Sequence, residues 1–356
     1  MPVHPSDDPS EPVEPDSTGQ SVAGLAAPEL RHQVERRVAE ELGHTVRCWS
    51  RVVGGAQNQL FRLDALDGPP LLVKLYATDR WPRLATEYAT LKALNQQKLR
   101  RVPRALLRDD EYSYAVYSFE AGAVRTAAQL TRQDVEQIAL FVADLHRFGP
   151  QHLGAAVPAA VDASLSPACQ REVIHRRLTG IETFAGAASL RGLRPLVDEL
   201  LRDLVDETQE ALPRESWRLT SGDFGPHNML FRAGSDLTVV DFEAAGWDDP
   251  AHMVMGFVAH ATSESLPGEL SETFLGDIAR ITRLSPAEQA RYEVMGQLLD
   301  VEWVAVYASA LSGENMANKQ SALQEFSIDA YVADVLEKIQ RRLARAVRRQ
   351  GYRFPR

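Results

Sequence analysis

Short runs of apolar and β-branched residues, separated by turn-forming residues, dominate the first third of the chain. The pair Gly54-Gly55 separates the first two runs, and the sequence Asp67-Gly68-Pro69-Pro70 separates the second from the third. Such residues supply the backbone angles that turns require. The stretch Pro82–Gln97 instead repeats its apolar residues at helical spacing. The pattern therefore predicts one helix within a set of five strands, which are Thr45–Val53, Gln59–Ala65, Leu71–Tyr76, Arg104–Arg108 and Tyr112–Phe119.

The pattern becomes mainly helical after Gly122, and only Asn228–Arg232 and Thr238–Phe242 favour strands there. Residues 1–28 are rich in Pro, Asp, Glu and Ser, which predicts a disordered tail, and a first helix begins near Pro28. Three parts follow: a tail at 1–28, a strand-rich lobe at 29–122 and a helical lobe at 123–356. The predicted helices of the last part are Gln133–Phe148, Ser166–Thr183, Leu190–Ala211, Ala251–Glu264, Ser271–Arg283, Pro286–Leu311 and Ala322–Arg349.

Composition narrows the class of protein. The 356 residues are 44% hydrophobic and 25% charged, which is typical of a globular protein with a sizeable core. A net charge of −10 argues against nucleic acid as the main partner. The sequence has no apolar run of about 18 residues and no secretory leader, and its two cysteines form no disulfide framework. From these features we expect a cytoplasmic protein. The basic stretch 341–349 could contact an anionic membrane or a partner, but a solvated helix face is the preferred interpretation, so no stable membrane association is expected.

Two aspartates in the middle of the chain have the spacing of a metal-dependent phosphoryl-transfer site. Asp223 and Asn228 are separated by five positions in Gly-Asp-Phe-Gly-Pro-His-Asn, and Asp241 follows the apolar run Leu-Thr-Val-Val. Phosphoryl transfer requires a carboxylate that receives the attacking hydroxyl and oxygen ligands that hold Mg²⁺ on the nucleotide. A turn in which Asp223 bonds its own backbone is the alternative. The joint pattern favours Asp223 as catalytic base, with Asn228 and Asp241 as metal ligands.

Further candidates for nucleotide binding lie in the predicted N-terminal lobe. Lys74, in the third strand, could hold the phosphates, and Glu87 on the following helix could hold Lys74, although an edge lysine that reaches solvent is the alternative. Gly54, Gly55 and Asn58 lie where a loop could cover the phosphates, or where a simple hairpin turn would need glycine. A hinge at Ser118, Phe119 and Glu120 would pair with the nucleotide base through its backbone.

Acceptor recognition is expected in the helical lobe, near the predicted cleft. Asp300 and Trp303 are three residues apart and share a helix face, and an acid beside an aromatic ring would suit an amine or a sugar. A core tryptophan beside solvated acids is an equally good interpretation. The acceptor-binding candidates are Trp247, Asp248, Asp249, Asp300 and Trp303.

These motifs resemble those of the aminoglycoside phosphotransferase and choline kinase family of small-molecule kinases, over roughly residues 45 to 310. The resemblance rests mainly on Gly222-Asp223-x-x-Pro226-x-Asn228, Asp241-Phe242-Glu243 and Gly246-Trp247-Asp248-Asp249-Pro250. It implies an α+β, bilobal protein-kinase-like fold, with a five-stranded antiparallel sheet and a helix in the N-lobe and a mostly helical C-lobe. It also implies Mg²⁺, ATP or GTP as donor, and a hydroxyl group of a small molecule as acceptor.

The sequence departs from the pattern of this family within the catalytic loop. Ser221 stands where the family usually has a histidine that braces the loop, and Gly225 and His227 stand where it usually has His and Gly. Met253 replaces a frequent aspartate. These changes indicate a divergent member. A nucleotide-binding pseudokinase and a metal-dependent hydrolase are the two alternatives, and the complete set of Asp223, Asn228, Asp241 and Lys74 favours the kinase over both.

Overall fold

The computed structural model describes residues 28–52, 58–77, 82–154, 157–204, 211–322, 327–348 and 353–355, with the side chains of 318–322 left aside. The predicted tail at 1–28 therefore lies almost entirely outside the described residues. The N-lobe begins with helix α1 (Pro28–Leu42), and its sheet has the strand order β1-β2-β3-β5-β4, with every neighbouring pair antiparallel. Its strands are β1 (Val46–Val52), β2 (Gln59–Ala65), β3 (Leu71–Leu75), β4 (Ala105–Asp109) and β5 (Tyr114–Ser118).

Each face of this sheet packs against one helix, because side chains alternate between the two faces of a strand. In β5, Tyr114 and Val116 belong to the same apolar cluster as Val34 and Val38 of α1. Tyr117 lies on the opposite face, in the cluster that contains the apolar residues of α2 (Arg83–Gln96). All five residues of β5 are buried, so the central strands are fixed from both sides.

The C-lobe is built around one long helix, α9 (Pro286–Ser309), which begins with a capping box between Ser285 and Glu288. It contacts four other helices of the lobe: α5 (Pro167–Arg177), α6 (Leu193–Leu204), α7 (Pro250–Ala259) and α11 (Ile328–Arg348). The remaining helices are α3 (Arg132–Leu145), α4 (Pro150–Leu153), α8 (Gly268–Thr282) and α10 (Gly313–Ala322). Since α7 packs on α9 and carries a row of buried apolar residues, its ends are held firmly.

Two small sheets lie within the helical lobe. Strands β6 (Ala123–Val124), β8 (Met229–Phe231) and β9 (Leu237–Val239) form a three-stranded sheet, and β7 (Arg218–Thr220) pairs with β10 (Gly246–Asp248). Since Ala123 already pairs with β8, the chain joins the second lobe directly after Gly122. The sequence predicted β8 and β9, which lie in apolar runs of the chain, but not the equally short β7 and β10 or the two-residue β6.

The bilobal α+β fold predicted from the sequence is confirmed. Several helix ends differ from the prediction. The predicted helix 166–183 ends at Arg177, because Gly180 adopts a left-handed conformation (φ +75°). The predicted helix 251–264 ends at Ala259, because His260 turns to an extended conformation (ψ 146°). The predicted helix 322–349 begins only at Ile328, after the separate α10. None of the described helices is long and apolar enough to cross a membrane.

Candidate active site

Lys74 lies at the centre of a group of acidic side chains between the two lobes. Its Nζ is 2.7 Å from Glu87 Oε2, 2.7 Å from Asp241 Oδ1 and 3.3 Å from Glu243 Oε2. The lysine comes from β3, Glu87 from α2 and the other two from the segment after β9. We call these four residues the carboxylate cluster. The predicted pairing of Lys74 with Glu87 is therefore present in the structure.

Glu87 is the buried member that ties these elements together. Besides the Lys74 ammonium, its carboxylate accepts a hydrogen bond from the Tyr76 hydroxyl at 2.7 Å and from the backbone N–H of Phe242 at 3.1 Å. Burial lowers the pKa of Lys74, but the charges of Glu87 and Asp241 outweigh this effect and hold that pKa above its usual range. The ammonium is therefore charged and directed toward the cleft.

Asp241 differs from the other acids of the carboxylate cluster in its backbone conformation, which is left-handed. It has a φ of +66°, which is uncommon for a residue with a Cβ and is typical of functional positions. The strand before it ends at Val239, and the N–H of Val240 donates to the carbonyl of Asn228 at 3.0 Å. About a third of the Asp241 side chain is exposed, so a carboxylate oxygen is accessible from the cleft.

Asp223 follows Gly222 in the loop between β7 and β8. Gly222 has a φ of +86°, and a Cβ at this position would lie 2.6 Å from both the carbonyl O and the Cβ of Ala244. Only glycine fits this turn without displacing the backbone of the neighbouring segment. The side chain of Asp223 is half exposed, so its carboxylate faces the space where a substrate could bind.

Asn228 connects Asp223 with the segment that carries Asp241. Its amide Nδ2 donates to the Asp223 carbonyl at 3.0 Å, and the asparagine itself is buried. This bond sets the amide so that Oδ1 points away from that carbonyl, which leaves an oxygen ligand for a cation. Asn228 and Asp241 carry hard oxygen atoms of the kind that Mg²⁺ prefers. Asp241 also belongs to a group with Glu87 and Glu243 whose ligand atoms all lie within 4.8 Å of one another. The residues present therefore fit a magnesium ion bound together with nucleotide phosphates.

Two histidines hold the Asp223 carboxylate. His260 Nε2 is 2.8 Å from Asp223 Oδ1, and His227 Nε2 is 3.1 Å from Oδ2. The Nδ1 atoms of both rings lie near the Thr262 hydroxyl, at 2.8 Å and 3.2 Å respectively. We call these four residues the imidazole cluster. Burial raises the pKa of Asp223, but the hydrogen bonds from His227 and His260 outweigh it and hold that pKa well below its usual range.

The sequence did not predict Glu243 or His260 as site residues. Glu243 could have been suspected, because it lies two residues after Asp241 in an otherwise apolar segment. It accepts from the Asn58 amide at 2.5 Å and pairs with Arg83 of α2. His260 lies 37 positions after Asp223 and in no motif, so nothing in the pattern of residues points to it.

Part of the predicted phosphate loop lies outside the described residues, namely Gly54 and Gly55. Asn58 is described, and besides its bond to Glu243 its Oδ1 accepts from the backbone N–H of Ala77. Asn58 thus connects the start of β2 with the end of β3 and with the carboxylate cluster. A contact of these three residues with the nucleotide stays a prediction.

The predicted hinge lies at the end of β5. The N–H of Ser118 donates to the Arg104 carbonyl at 3.0 Å, and the N–H of Phe119 donates to the Pro70 carbonyl at 3.2 Å. The Ser118 hydroxyl donates to Glu120 Oε1 at 2.6 Å. Since the amides of Ser118 and Phe119 already have partners, neither can serve as the donor to a nucleotide base in this conformation. A contact of the hinge backbone with a nucleotide base stays a prediction, and in this conformation it would have to use groups other than these two amides.

Four of the five acceptor-binding candidates are buried and have internal partners. Trp247 donates from its indole nitrogen to the Val157 carbonyl at 2.9 Å. Asp248 pairs with His252, and Asp249 caps α7 and pairs with Arg291. Asp300 pairs with both Arg342 and Arg345. No more than 3% of any of these four residues is exposed. A contact of these four residues with an acceptor stays a prediction, which their burial and internal partners do not favour.

Trp303 is the one member of that group beside the catalytic loop. It is only partly buried, and its ring meets the edge of His260 at a centroid distance of 5.0 Å and lies 5.6 Å from the ring of Tyr307. Trp303 and Tyr307 thus form an aromatic wall beside His260, and the Arg342 guanidinium lies over the Trp303 ring, 5.7 Å from its centroid. A role of Trp303 in acceptor binding stays a prediction that this placement favours.

Solved structures with the same fold include several small-molecule kinases. A spectinomycin phosphotransferase in complex with ADP and spectinomycin matches with a TM-score of 0.63 and 13% identity, over 89% of this chain and 98% of the other. An aminoglycoside 2'-phosphotransferase variant in complex with GDP matches with a TM-score of 0.60 and 13% identity, over 89% and 98%. A choline kinase from Streptococcus pneumoniae matches with a TM-score of 0.59 and 15% identity, over 89% and 99%.

Identities this low establish the common fold and nothing about the substrate. No curated protein matches the sequence significantly. The profile of the phosphotransferase enzyme family, however, matches residues 49–292, which is more than half of the chain and includes both clusters of the site. The chain therefore belongs to the phosphotransferase enzyme family.

Proposed function

We propose that this protein transfers the γ-phosphoryl group of ATP or GTP to a hydroxyl group of a small molecule. The observation that carries the proposal is the continuity between the two clusters. Asn228 bonds the Asp223 carbonyl through its side chain and accepts from Val240 through its own carbonyl. A single residue therefore links the proposed base to the segment that bears Asp241.

In the proposed reaction the acceptor hydroxyl oxygen attacks the γ-phosphorus of the nucleotide. The bond from this oxygen to phosphorus forms while the bond from phosphorus to the β,γ-bridging oxygen breaks. The electron pair of the broken bond leaves with the nucleoside diphosphate, and the hydroxyl proton passes to Asp223. A carboxylate with a lowered pKa is a weak base, so its main contribution is to orient the hydroxyl in line with the bond that breaks.

The other residues of the site have distinct tasks in this proposal. Lys74 neutralises charge on the nucleotide phosphates, and Glu87 holds Lys74 in place. Magnesium held by Asn228 and Asp241 would supply positive charge at the β- and γ-phosphates when bound. Such a fixed arrangement of charges accounts for most of the catalysis in phosphoryl transfer. A nucleotide donor also fits the expected cytoplasmic location.

The charges around Asp223 favour an acceptor with few positive charges. Carboxylates of the neighbouring helices are already paired within the protein, as Asp300 is with Arg342, Glu264 with Arg342 and Asp249 with Arg291. They offer little attraction to a polycation, because their charge is neutralised at close range. The aromatic wall of Trp303 and Tyr307 instead suits the face of a sugar ring or another compact apolar surface. We therefore place a sugar or amino alcohol ahead of an aminoglycoside as acceptor.

Acceptor-stimulated nucleotide consumption tests this proposal. We expect one class among sugars, amino alcohols, nucleosides and aminoglycosides to stimulate consumption of ATP or GTP in the presence of Mg²⁺. Asp223→Ala should abolish the stimulation, and Asp236→Ala, which removes an exposed acid from the β8–β9 hairpin, should not. Transfer of the phosphoryl group to water, seen as release of inorganic phosphate that no acceptor stimulates, would favour a hydrolase. Nucleotide binding without turnover across the panel would favour a pseudokinase.

A further inference from the structure

Among the described residues, His260 is the one outside the catalytic loop whose side chain bonds the Asp223 carboxylate directly. His227 belongs to the same short loop as Asp223 and reaches the segment after α7 only through the contact of its Nδ1 with the Thr262 hydroxyl at 3.2 Å. His260 follows the last residue of α7, a buried helix that packs on α9. A bond from His260 therefore connects the catalytic loop to the core of the lobe.

The ring of His260 is itself fixed at two places. Its Nδ1 accepts a hydrogen bond from the backbone N–H of Thr262 at 3.1 Å, so this nitrogen carries no proton. The remaining ring proton of the neutral imidazole is then on Nε2, which lies 2.8 Å from Asp223 Oδ1 and donates to it. The edge-on contact with Trp303 restricts rotation of the ring. His260 is thus held in the one tautomer that can orient the carboxylate.

The catalytic loop has the space that this ring needs. A Cβ at Gly225 would lie 2.6 Å from His260 Nδ1 and 2.8 Å from His227 Nδ1, closer than carbon and nitrogen atoms can approach. Gly225 has a negative φ of −131°, so its backbone conformation does not require glycine. Glycine is therefore needed here because the Cβ of any other residue would occupy the space that the two imidazole rings fill.

Ser221 does not provide an alternative support for the loop. It is fully buried, and within the described part of the chain its hydroxyl has no hydrogen-bond partner. The loop is consequently held by Gly222 packing on Ala244, by the Asn228 amide and by His260. Of these three contacts, the one from His260 is the one that reaches the reacting carboxylate itself.

We propose that His260 is the positioning residue of Asp223: held by Thr262, it donates to Oδ1 and thereby presents Oδ2 to the acceptor hydroxyl. This inference rests on the proposed phosphotransferase function. The exposed fractions of the two histidines agree with this assignment of Oδ1 to His260 and Oδ2 to the acceptor. The His260 side chain is 12% exposed, and that of His227 is 38% exposed. The acceptor hydroxyl takes the place of His227 at Oδ2, while the bond at Oδ1 remains.

Three substitutions of His260 separate positioning from packing. Glutamine places an amide donor near the position of Nε2, whereas asparagine can replace only the Nδ1 contact with Thr262. We expect His260→Ala and His260→Asn to lower kcat about 100-fold with little change in KM for the nucleotide, which is the effect of a misplaced base. His260→Gln should recover most of the loss. His175→Ala, which removes a histidine 2.8 Å from Asp198 on a remote helix, serves as the control.

Gly225→Ala provides an independent measurement of the same contact. The added methyl group displaces the His260 ring, so we expect a loss of kcat similar to that of His260→Ala. The double variant should then lose no more than either single variant, because both remove one interaction. Additive losses would overturn the proposal, and so would equal losses in His260→Ala, His260→Asn and His260→Gln.

Nitrogen-15 spectra of the histidine rings test the proposal without any turnover. We expect His260, assigned from the His260→Gln variant, to show the Nε2–H tautomer in the free protein. A proton on Nδ1 would overturn the proposal, and so would tight binding of Zn²⁺ alone that His260→Gln abolishes, because the three side chains would then be metal ligands. If the wild-type protein phosphorylates an acceptor but the His260 variants do not behave as expected, the proposed phosphotransferase function stands and only the role of His260 is overturned. If no acceptor is found, the spectra still decide the tautomer.

Discussion

The two clusters of the site differ in burial and in charge. The carboxylate cluster joins β3, α2 and the segment after β9, and Lys74 and Glu87 at its centre are almost completely buried. It brings three carboxylates together with Lys74 and Arg83, so one negative charge remains uncompensated. The imidazole cluster has one carboxylate, half exposed, with a histidine at each of its oxygens.

This difference assigns different tasks to acids that look alike in the sequence. A buried group of carboxylates with excess negative charge attracts a divalent cation and also connects the elements that contribute its members. A single carboxylate between two imidazole donors has a hydrogen-bond partner at each of its oxygens, and the protein controls its orientation rather than its charge. Changes in the first cluster should therefore affect both stability and turnover, and changes in the second should affect turnover alone.

The largest effect is expected when Asp241 is changed to alanine. The change removes a metal ligand and one of the carboxylates on Lys74, so we expect turnover to fall by at least about 1,000-fold. Steady-state phosphorylation of the acceptor found in the panel measures it. The control change Asp236→Ala, in the β8–β9 hairpin that precedes Asp241, removes only an exposed pair with Arg232 and should leave turnover within about twofold. Normal turnover in Asp241→Ala would contradict the assignment of the metal ligands.

Changing Glu87 to glutamine tests whether the buried cluster supports stability. The amide cannot accept from Lys74, Tyr76 and Phe242 as the carboxylate does, so we expect a loss of about 1–3 kcal/mol in the free energy of unfolding. Turnover should fall at the same time, because Lys74 loses its main support. Urea unfolding and steady-state kinetics measure the two effects.

The corresponding change in the exposed cluster is Asp223→Asn. We expect it to abolish most turnover while the free energy of unfolding changes by less than about 0.5 kcal/mol, as for other exposed positions. Equal destabilisation by Asp223→Asn and Glu87→Gln would show that the two clusters do not differ in the way proposed.

A further test uses Gly222, because the backbone turn at this residue positions Asp223. Gly222 and Gly234 both have left-handed φ values, of +86° and +73°, but only the first would bring a Cβ against another segment. We expect Gly234→Ala to cost about 1 kcal/mol for the backbone conformation, and Gly222→Ala to cost about 1–3 kcal/mol more for overpacking against Ala244. Urea unfolding of both variants measures the difference. Equal costs would mean that the Ala244 segment moves away freely.

The sequence predicted the carboxylate cluster better than the imidazole cluster for a physical reason. Lys74 and Glu87 lie on a strand and a helix that the sequence predicted, and Asp241 follows a short apolar run, so their neighbourhood follows from the order of strands and helices. His260 reaches Asp223 only because α7 ends at Ala259 and the chain then turns to an extended conformation. That turn has no glycine or proline to mark it, so no local pattern could have placed the ring.

The acids of the helical lobe show what the sequence could not predict. Asp248, Asp249 and Asp300 were acceptor-binding candidates because an acid beside an aromatic ring would suit an amine or a sugar. Each has instead a cationic partner on another element or one turn away, and a buried acid with such a partner is stable inside a protein. Those partners, Arg291 and Arg342 among them, are distant in the sequence or lie on helices whose facing sides cannot be read from periodicity alone.

The prediction with the smallest expected effect concerns two aspartate–histidine pairs that have the same spacing in the sequence. Asp223 and His227, and likewise Asp248 and His252, are four residues apart, yet only the second pair is mostly buried. Burial lowers the pKa of His252, but the charges of Asp248, Glu302 and Asp249 outweigh it and raise the pKa to about 9. His252 is therefore charged at neutral pH and stabilises the fold through its pair with Asp248.

The pH range of this contribution follows from the sign of the shift. A histidine whose pKa is raised in the folded protein binds its proton more tightly there than in the unfolded chain. Its contribution is complete below pH about 6.5, the pKa of an unperturbed histidine, and is lost as the pH rises toward 9. We expect wild-type protein to exceed His252→Gln in free energy of unfolding by about 1–2 kcal/mol at pH 6.5, and this difference to vanish near pH 9. Urea unfolding at both pH values measures it. A difference that is constant with pH would mean that His252 is neutral and that only its packing matters, and the two pairs would then differ in position but not in charge.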